Sequence, residues 1–341
     1  MKRTAVPTLK KLANLLDLSV PTVSRALNGY PDISEATKQR VMDAANAMGY
    51  RPNPIAQQLR KQRTDTVGMI IPGARGQFAD PFFLEFLDGV GAALREAGLD
   101  LLVTSAPPGP EEMDTYKRWV EGRRIDGLIL ARTRVMDERV AYLHEAGIPF
   151  VCHGRTSVPG THPFLDVDGR GGFYQATSYL IELGHTRLGF IGAPPEVQFG
   201  HHRMAGFREA LAAYQLPYVE KWVRHGDLSE RSGCDAALTI LGSDPRPTGL
   251  LCANDSMALG ALYAAQQLGL KVGSDVSVIG YDDLPVSRFV SCPLTTIRQP
   301  TRQAGRRVVE ILKALLAGAP AETLQELWQP ELVLRASAGP P

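Results

Sequence analysis

The residues best suited to chemistry are those that could hold a small polar ligand. Arg203 offers a planar, two-pronged hydrogen-bond donor, and Asp282 and Asn254 offer oriented acceptors. Phe82 and Phe83 add apolar ring faces. This set suits a sugar, because the C–H faces of a sugar pack on aromatic rings while its hydroxyl groups hydrogen-bond with polar side chains. Plain core packing is the alternative interpretation of the two phenylalanines, of Arg203 and of Asp282.

Enzymatic chemistry is poorly supported. Carboxylates could do acid–base work, but a receptor needs them equally as hydrogen-bond acceptors. The sequence contains no GxSxG elbow, no Walker loop and no HExxH motif. Gly89-Val90-Gly91 imitates part of a dinucleotide fingerprint, but it lies inside an expected helix rather than at a strand-to-helix turn. His201 and His202 are neighbours about 100° apart on a helix, which favours surface histidines over a metal pair. We therefore expect no catalytic residue, no cofactor and no metal.

The charge of the chain is distributed unevenly. Residues 1–63 hold eleven Lys and Arg against four Asp and Glu, a net +7, whereas the remainder holds 26 against 32, a net −6. A small basic unit attracts polyanions, because neutralising phosphates releases condensed counterions. A solvated basic surface without a partner is the alternative.

Length and composition indicate a globular protein with at least two packing units. The chain has 341 residues, of which 44% are hydrophobic and 21% charged. Its apolar runs are far shorter than the roughly 18 residues needed to span a bilayer, and no continuous apolar stretch follows the basic start. These features predict a cytoplasmic protein. The four cysteines lie far apart without metal or redox spacing, which predicts buried, reduced thiols.

The basic segment is predicted to form three short helices. Apolar residues at 9, 12, 13 and 16 share one helical face, and Thr8 is the expected N-cap. Ser19 is expected to cap a second helix that ends at Gly29, and Ser34 a third that runs over residues 35–48. Three short helices with a tight turn between the first two make a helix-turn-helix.

Beyond Thr64 the chain alternates apolar runs with amphipathic segments. This alternation predicts parallel sheets with helices on both faces, and about 280 residues suggest two such lobes. The expected strands are 66–72, 100–105, 126–131, 149–154, 187–193, 249–253 and 277–281. The expected helices are 82–97, 113–121, 137–146, 171–183, 202–214, 229–241, 256–268 and 301–316. Ligands in such sheets bind beyond the carboxyl ends of the strands, which places Asp80, Asn254 and Asp282 at one cleft.

The head resembles the lac and galactose repressor family of bacterial transcription regulators. The motif that carries the resemblance is Val23-Ser24-Arg25-Ala26-Leu27-Asn28, followed by residues 41–53. The resemblance implies that the second helix enters the major groove of operator DNA. Asp17 stands in the turn, where the family often has glycine.

The resemblance assigns DNA-binding roles to particular residues of the head. Val20, Pro21 and Arg25 take base-reading positions, and only Arg25 can donate two hydrogen bonds to a guanine edge. The hydroxyl and amide side chains better placed as phosphate anchors are Thr8, Thr22, Ser24 and Asn28. A hinge helix is expected at about residues 53–61, ordered when two chains meet on DNA, with Leu59 wedged into the minor groove. A plain linker over residues 52–63 is the alternative.

The body resembles the periplasmic sugar-binding-protein fold that the same family carries. Its markers include Leu183-Gly184-His185, residues 203–207, Ala253-Asn254-Asp255, residues 278–283 and residues 294–297. The predicted fold class is an all-α helix-turn-helix head, residues 1–63, followed by an α/β periplasmic-binding-protein-like body of two doubly wound lobes, residues 64–341. By analogy, an N-lobe is built from about 64–164 and 295–325, and a C-lobe from about 165–294 and 326–341.

The same pattern matching extends the expected effector site. It places Arg155, Asp168, Phe199 and Leu228 at the rim or wall, beside Asp80, Phe82, Phe83, Arg203, Asn254 and Asp282. Residues 77–83 together with His153-Gly154-Arg155 look most like regulators of glucoside use. The predicted effector is therefore a sugar or glucoside, with a purine or a phosphorylated metabolite as alternatives.

These resemblances predict a homodimeric repressor that binds a palindromic double-stranded operator. A small-molecule effector would control its operator affinity allosterically. No membrane partner is expected. A sugar-binding receptor or an enzyme without a DNA role is a remote alternative.

Overall fold

The computed structural model describes residues 7–51, 63–73 and 80–341. The chain divides into two compact units, Met1–Thr64 and Asp65–Pro341, called here the head and the body. The expected hinge helix and Leu59 lie outside the described residues. Gln77, Phe78 and Ala79, at the start of the motif over residues 77–83, also lie outside them. No helix within the described ranges has both the length and the apolar character needed to cross a membrane.

Three short helices form the described part of the head, residues 7–51. They are α1 (Leu9–Leu16), α2 (Val20–Leu27) and α3 (Glu35–Ala47), with Thr8, Ser19 and Ser34 as N-caps, as predicted. Their apolar faces meet in a small core of Leu12, Ala13, Leu16, Val23, Ala26, Val41 and Ala45. Asp17 ends α1 with φ 53° and ψ 43°, the left-handed conformation that a glycine adopts most easily. The tight turn between α1 and α2 is therefore kept without glycine.

The first lobe of the body is built on a six-stranded parallel sheet. Its strands are β1 (Thr66–Pro72), β2 (Asp100–Ala106), β3 (Gly127–Leu130), β4 (Phe150–His153), β5 (Phe164–Val167) and β11 (Gln325–Trp328), in the order β11-β5-β4-β3-β1-β2. One face packs on α4 (Pro81–Ala97) and α11 (Thr301–Leu316), and the other on α5 (Pro110–Glu121) and α6 (Glu138–Glu145). The central strands β1, β3 and β4 are buried on both faces, which explains their continuous apolar runs.

The second lobe repeats the plan. The strands of its sheet are β6 (Leu188–Gly192), β7 (Val223–His225), β8 (Gly249–Cys252), β9 (Ser277–Asp282), β10 (Thr295–Arg298) and β12 (Glu331–Val333). Their order in the sheet is β12-β10-β9-β8-β6-β7. Only the pairing of β12 with β10 is antiparallel in this sheet. Helices α7 (Gly169–Glu182) and α8 (Gln198–Ala213) cover one face, and α9 (Glu230–Leu241) and α10 (Asp255–Gln267) the other. The predicted fold class is confirmed.

The boundaries between the lobes differ from the predicted ones. Strand β5 lies in the first sheet, although residues from 165 onward were expected in the C-lobe. Strand β11 also lies in the first sheet, although residues 326–341 were expected in the C-lobe. Strand β10 lies in the second sheet, where Thr295 pairs with Ile279 of β9, although an N-lobe segment was expected to begin at 295. Strands β5, β7, β10, β11 and β12, each of three or four residues, were not predicted.

Gly89, the first glycine of the string in α4, serves helix packing. A Cβ atom on Gly89 would lie 2.0 Å from the carbonyl oxygen of Arg302, and one on Gly305 would lie 2.2 Å from that of Phe86. Helices α4 and α11 therefore cross with their backbones in contact. All four cysteines are free thiols, and Cys152 and Cys252 are buried as expected, whereas Cys234 and Cys292 are only half-buried.

A buried ion cluster fixes the segment that follows β3. The guanidinium of Arg139 has no exposure to solvent and donates to both carboxylate oxygens of Asp137, at 2.8 and 2.7 Å, and to Glu112 at 3.0 Å. It also donates to the carbonyl oxygens of Ala131, at 3.4 Å, and Arg132, at 3.1 Å. Burial raises the pKa of the Asp137 carboxyl, but the hydrogen bonds and charge of Arg139 outweigh burial and hold that pKa below its usual range.

Replacing Arg139 tests the contribution of this cluster. Arg139→Met would leave the buried carboxylate of Asp137 without its cation and would leave Glu112 paired with Arg134 alone, so we expect the free energy of unfolding to fall by about 3–5 kcal/mol. Urea denaturation followed by circular dichroism measures the change. Arg170→Met is the matched control, because Arg170 forms an exposed pair with Glu209, and its loss should leave stability nearly unchanged. Equal losses in the two variants would contradict a special role for the buried cluster.

Candidate functional site

The exposed face of α2 carries the side chains expected to read DNA. Val20, Pro21 and Arg25 are exposed, whereas Val23 and Ala26 face the core of the head. The Nη1 atom of Arg25 lies 2.7 Å from the carboxylate of Asp32, and both side chains are about half exposed. Exposed ion pairs contribute little to stability, so Arg25 could exchange Asp32 for a base edge at small cost.

The expected phosphate anchors also have structural roles. The hydroxyl oxygen of Thr8 accepts from the backbone N–H of Lys11 at 3.3 Å, and that of Thr22 lies 2.7 Å from the hydroxyl of Ser19. Asn28 donates to the carbonyl oxygen of Ser24. A hydroxyl group that accepts one hydrogen bond still carries a proton to donate, so capping a helix and contacting a phosphate are compatible roles.

A cleft between the two lobes of the body brings most of the predicted effector residues together. It encloses about 720 Å³, part of it open to solvent. Nine of the ten predicted residues line it, namely Asp80, Phe82, Phe83, Arg155, Phe199, Arg203, Leu228, Asn254 and Asp282. Asp168 is not among the lining residues. Its carboxylate caps α7 by accepting from the N–H of Gly171 at 3.0 Å, and that local bond holds it away from the predicted role.

The first lobe contributes an ion pair above a ring. Asp80 caps α4 through Phe82 N–H, and its second oxygen lies 2.6 Å from Nη2 of Arg132. The guanidinium of Arg132 lies 5.1 Å from the ring centroid of Phe83. Burial raises the pKa of the Asp80 carboxyl, and the charge of Arg132 opposes that rise.

The second lobe contributes a guanidinium held between two rings. The Cζ atom of Arg203 lies 3.6 Å from the ring centroid of Tyr281 and 4.3 Å from that of Phe199. Its Nη1 donates to the carbonyl oxygen of Ala253. Its Nε is buried and has no hydrogen-bond partner among the described residues. The side chain is therefore fixed in orientation while one donor remains to be satisfied.

Asp282 occupies a strained position at the end of β9. Its φ of 119° is rare for a residue with a side chain, and such strain clusters at functional sites. The carboxylate accepts from Nε2 of Gln299 at 2.6 Å. Burial raises the pKa of Asp282 well above its usual range; the charge of Arg203 opposes this and nearby Asp80 adds to it. Asp282 is thus a half-buried hydrogen-bonding group in the wall of the cleft.

Asn254 lines the cleft, but its amide already has partners within the protein. Its side-chain oxygen caps α10 by accepting from Met257 N–H at 3.0 Å, and its Nδ2 donates to the carbonyl oxygen of Leu228 at 3.0 Å. Leu228 has a left-handed φ of 74°. The structure therefore uses Asn254 to hold the Leu228 loop against the cleft, a role that its residue type alone did not indicate.

Several residues that line the cleft were not predicted from the sequence. They are Arg132, Thr133, Asp166, Val167, Gly169, His202 and Gln299, together with His153 and Gly154, which had served only as part of a motif. Most of them lie at or just beyond the carboxyl ends of β3, β4, β5 and β10. The strand-end rule, applied to every strand rather than to selected acids, would have found them.

Two backbone hydrogen bonds join the lobes beside the cleft. The N–H of Val135 donates to the carbonyl oxygen of Glu196 at 3.0 Å, and that of Gln198 donates to the carbonyl oxygen of Thr133 at 3.0 Å. Residues 133–135 follow β3 in the first lobe, and residues 196–198 lead into α8 in the second, with Gln198 as the first residue of that helix. We call this pair of segments the clasp. Any motion that opens the lobes at this edge must break it.

The comparisons with known proteins agree on both units of the chain. A family model described as "Bacterial regulatory proteins, lacI family" matches residues 8–53, and one described as "Periplasmic binding protein-like domain" matches residues 177–338. In the described residues, no group of three or more His, Cys, Asp or Glu side chains could hold a metal ion.

Relatives match the chain along nearly its whole length. The HTH-type transcriptional regulator AglR of Rhizobium meliloti is 39% identical, over 97% of this chain and 94% of the relative. CelR of Thermobifida fusca is 35% identical, over 99% and 100%. The HTH-type transcriptional repressor PurR of Vibrio parahaemolyticus is 34% identical, over 96% and 97%.

Solved structures share the fold over the same length. A transcriptional regulator CelR–cellobiose complex matches with a TM-score of 0.77 and 34% identity, covering 97% of this chain and 100% of the other. The lac repressor dimer bound to operator and the anti-inducer ONPF matches with a TM-score of 0.84 and 26% identity, covering 98% and 99%.

The buried histidine of the cleft predicts a pH dependence of stability. Burial lowers the pKa of His153 from 6.5 to about 4; the charge of Asp166 opposes this and that of Arg203 adds to it. Between these values the unfolded chain binds a proton at this side chain and the folded chain does not, so lowering the pH favours unfolding. We expect His153 to contribute a loss of up to about 1.4 kcal/mol per pH unit across that window.

Urea denaturation of wild type and His153→Phe at several pH values measures this contribution. The variant should have a shallower dependence of unfolding free energy on pH between about 6.5 and 4. His201→Phe, at an exposed position of α8, is the control and should follow wild type. Parallel curves for wild type and His153→Phe would show that His153 does not titrate in this way.

Proposed function

The chain belongs to the lacI family of bacterial regulatory proteins, and on that premise we propose that it is a repressor whose affinity for operator DNA is controlled by a sugar bound in the cleft of the body. It is a DNA-binding transcriptional regulator, in agreement with the function predicted from sequence, and its relatives are regulators rather than enzymes. A protein that binds bacterial genomic DNA works in the cytoplasm.

On DNA, α2 would enter the major groove with Arg25 as its main base reader. Two heads of a homodimer would bind a palindromic operator, because the two-fold symmetry of a dimer is mirrored by its half-sites. The lac repressor structure, a dimer bound to operator, supports this arrangement by analogy. The wedge role of Leu59 remains part of the proposal and rests on the sequence motif.

The balance of charge in the cleft carries the proposal of an uncharged effector. Arg132 is paired with Asp80 at 2.6 Å, and Arg155 with Asp166 at 2.7 Å. Arg203 lies between two aromatic rings. Two of the three arginines that line the cleft are thus neutralised by carboxylates, and the third, Arg203, packs on two rings and donates to a carbonyl oxygen, so the cleft offers a phosphate one guanidinium at most. Aromatic faces with buried hydrogen-bonding groups instead suit a sugar, and the related CelR structure is a complex with cellobiose.

A purine effector is the second candidate. PurR relatives are 34% identical over nearly the whole chain, and Phe82 and Phe199 offer flat faces that could also stack on a base. Titration with purine bases in parallel with sugars decides between the two ligands.

Control of repression would follow from reciprocal coupling between operator binding by the head and effector binding in the cleft of the body. An effector that favours one arrangement of the lobes changes the spacing of the paired hinges, and operator DNA must then change effector affinity by the same factor. Coupling of about 1–3 kcal/mol corresponds to roughly 5- to 150-fold in affinity. The clasp is one contact whose making or breaking can distinguish the two arrangements.

Selection of duplex DNA from a random pool tests the proposed function as a whole. The purified protein should enrich a palindrome, and a mixture of mono- and disaccharides should change that enrichment. Enrichment that ignores sugars and responds to purine bases would replace the effector. Absence of any enriched sequence would contradict the operator role.

Replacing Arg25 tests base reading. Arg25→Ala should weaken binding to the selected operator by about 1–3 kcal/mol and leave binding to random duplex largely intact, because a base contact contributes only at the correct sequence. Fluorescence anisotropy with both duplexes measures the two affinities.

Asp32→Ala is the matched control for Arg25. It removes the ion-pair partner of Arg25 and keeps the guanidinium, so operator preference should persist. A loss of equal size on operator and random DNA in Arg25→Ala would make Arg25 a phosphate contact only.

Replacing Arg203 tests the effector anchor. Arg203→Lys keeps the charge but loses the planar donor between Phe199 and Tyr281, so we expect effector affinity to fall at least about tenfold with operator binding preserved. Calorimetric titration and operator anisotropy give the two readouts. Arg170→Lys, on the exposed surface of α7 in the same lobe, is the control. Unchanged effector titration in Arg203→Lys would remove Arg203 as the anchor.

A further inference from the structure

His153 lines the cleft and has a buried ring nitrogen without a hydrogen-bond partner among the described residues. It is the last residue of β4, which lies between β3 and β5 in the middle of the first sheet, and it lines the cleft. Its Nε2 is buried and has no hydrogen-bond partner among the described residues. Ligands of parallel sheets bind at this end of the strands.

Aromatic packing fixes the position of this imidazole. Its ring centroid lies 4.7 Å from that of Phe86 and 5.6 Å from that of Phe82. The chain then turns at Gly154 with φ 106°, where a Cβ atom would lie 2.7 Å from the hydroxyl of Thr133. The ring is therefore fixed by its aromatic neighbours in the wall of the cleft, and its Nε2 has no partner there.

An unsatisfied buried nitrogen requires an explanation. Leaving a buried polar group without a partner is costly, and native proteins satisfy nearly all such groups with protein, water or ligand. Because His153 lines the effector cleft, a group of the effector is the partner that the geometry favours.

The protonation state of His153 indicates the kind of group. Burial lowers the pKa of the imidazole to about 4, so the ring is neutral at pH 7. A neutral imidazole has one N–H donor and one acceptor nitrogen, and a hydroxyl group can pair with either. It supplies no positive charge to hold a phosphate. The neighbouring Arg155 is already paired with Asp166 at 2.7 Å.

We propose that His153 is a specificity-determining residue whose Nε2 hydrogen-bonds one hydroxyl group of an uncharged polyhydroxy effector. This inference rests on the proposed function and deepens it, because it assigns a hydroxyl-reading contact to the first lobe. Together with Arg203 of the second lobe, it gives the effector one polar contact on each side of the cleft.

Calorimetric titration of the full chain tests the proposal. The probes are glucose, cellobiose, maltose, trehalose and glucose 6-phosphate. His153→Phe keeps the ring that packs on Phe86 and removes the nitrogen, whereas His153→Gln keeps an amide nitrogen near the same place. His162→Phe is the control, because His162 is a buried histidine of the same lobe that packs beside Phe150 and does not line the cleft.

We expect wild type to bind a neutral sugar of the panel and to discriminate against the phosphate ester. His153→Phe should bind the preferred sugar about tenfold or more weakly, equivalent to about 1.4 kcal/mol. His153→Gln should recover part of the affinity, and His162→Phe should match wild type.

Monodeoxy analogues of the preferred sugar identify the contact. For wild type, one analogue should bind about tenfold more weakly than the parent sugar. For His153→Phe, that analogue and the parent sugar should bind with equal affinity, because the contact is already absent. A purely structural effect of the substitution would weaken parent and analogues alike. If His153→Phe does not fold, the same series on His153→Gln replaces it.

The outcomes separate this inference from the proposed function. Two results would overturn the role of His153 and leave the sugar effector standing. In the first, wild type and His153→Phe bind the sugar equally well. In the second, every deoxy analogue that binds wild type more weakly than the parent sugar also binds His153→Phe more weakly than the parent. A wild type that binds no sugar of the panel overturns both.

Discussion

The cleft of the body depends on one buried guanidinium. Arg139 ties together Asp137, Glu112 and the carbonyl oxygens that follow β3, and it does so without exposure to solvent. Because the segment it fixes carries both Arg132 and the first half of the clasp, one ion cluster positions a cleft cation and an interlobe contact. A buried charge that already has its partners resists rearrangement, since separating them leaves uncompensated charge. The cluster thus gives the first lobe a rigid edge against which the second can move.

The walls of the cleft combine strain with charge balance. Asp282 has a backbone conformation unusual for a residue with a side chain, and Arg203 is clamped between Phe199 and Tyr281. Such features persist only where the surrounding structure imposes them. Since the cations of the first lobe are already paired with carboxylates, the first-lobe wall of the cleft presents oriented hydrogen-bonding groups rather than net charge. Such a wall is suited to the uncharged effector that we propose.

The head follows a different principle, in which a very small core supports an exposed reading face. Seven buried apolar residues hold the three described helices together, and a polar N-cap side chain accepts a backbone hydrogen bond at the start of each helix. Arg25 rests on Asp32 in this structure. Exposed pairs of this kind contribute little to stability, so Arg25 can leave Asp32 at little cost, as its proposed contact with a base requires. The head can therefore be specific for DNA without being large.

Sequence alone determined the features that neighbouring residues control. The caps at Thr8, Ser19 and Ser34, the alternation of strands and helices, and the family were all found because propensity, periodicity and motifs are local. Tertiary structure decided which lobe β10 joins, and it decided that Asp168 caps a helix while Asp166 lines the cleft. It also decided that the side-chain amide of Asn254 hydrogen-bonds with Leu228 and with its own helix. These outcomes depend on pairing between residues distant in the chain, such as Thr295 with Ile279 and Arg155 with Asp166. No local pattern encodes such pairing, because its energy arises only when the two segments pack together.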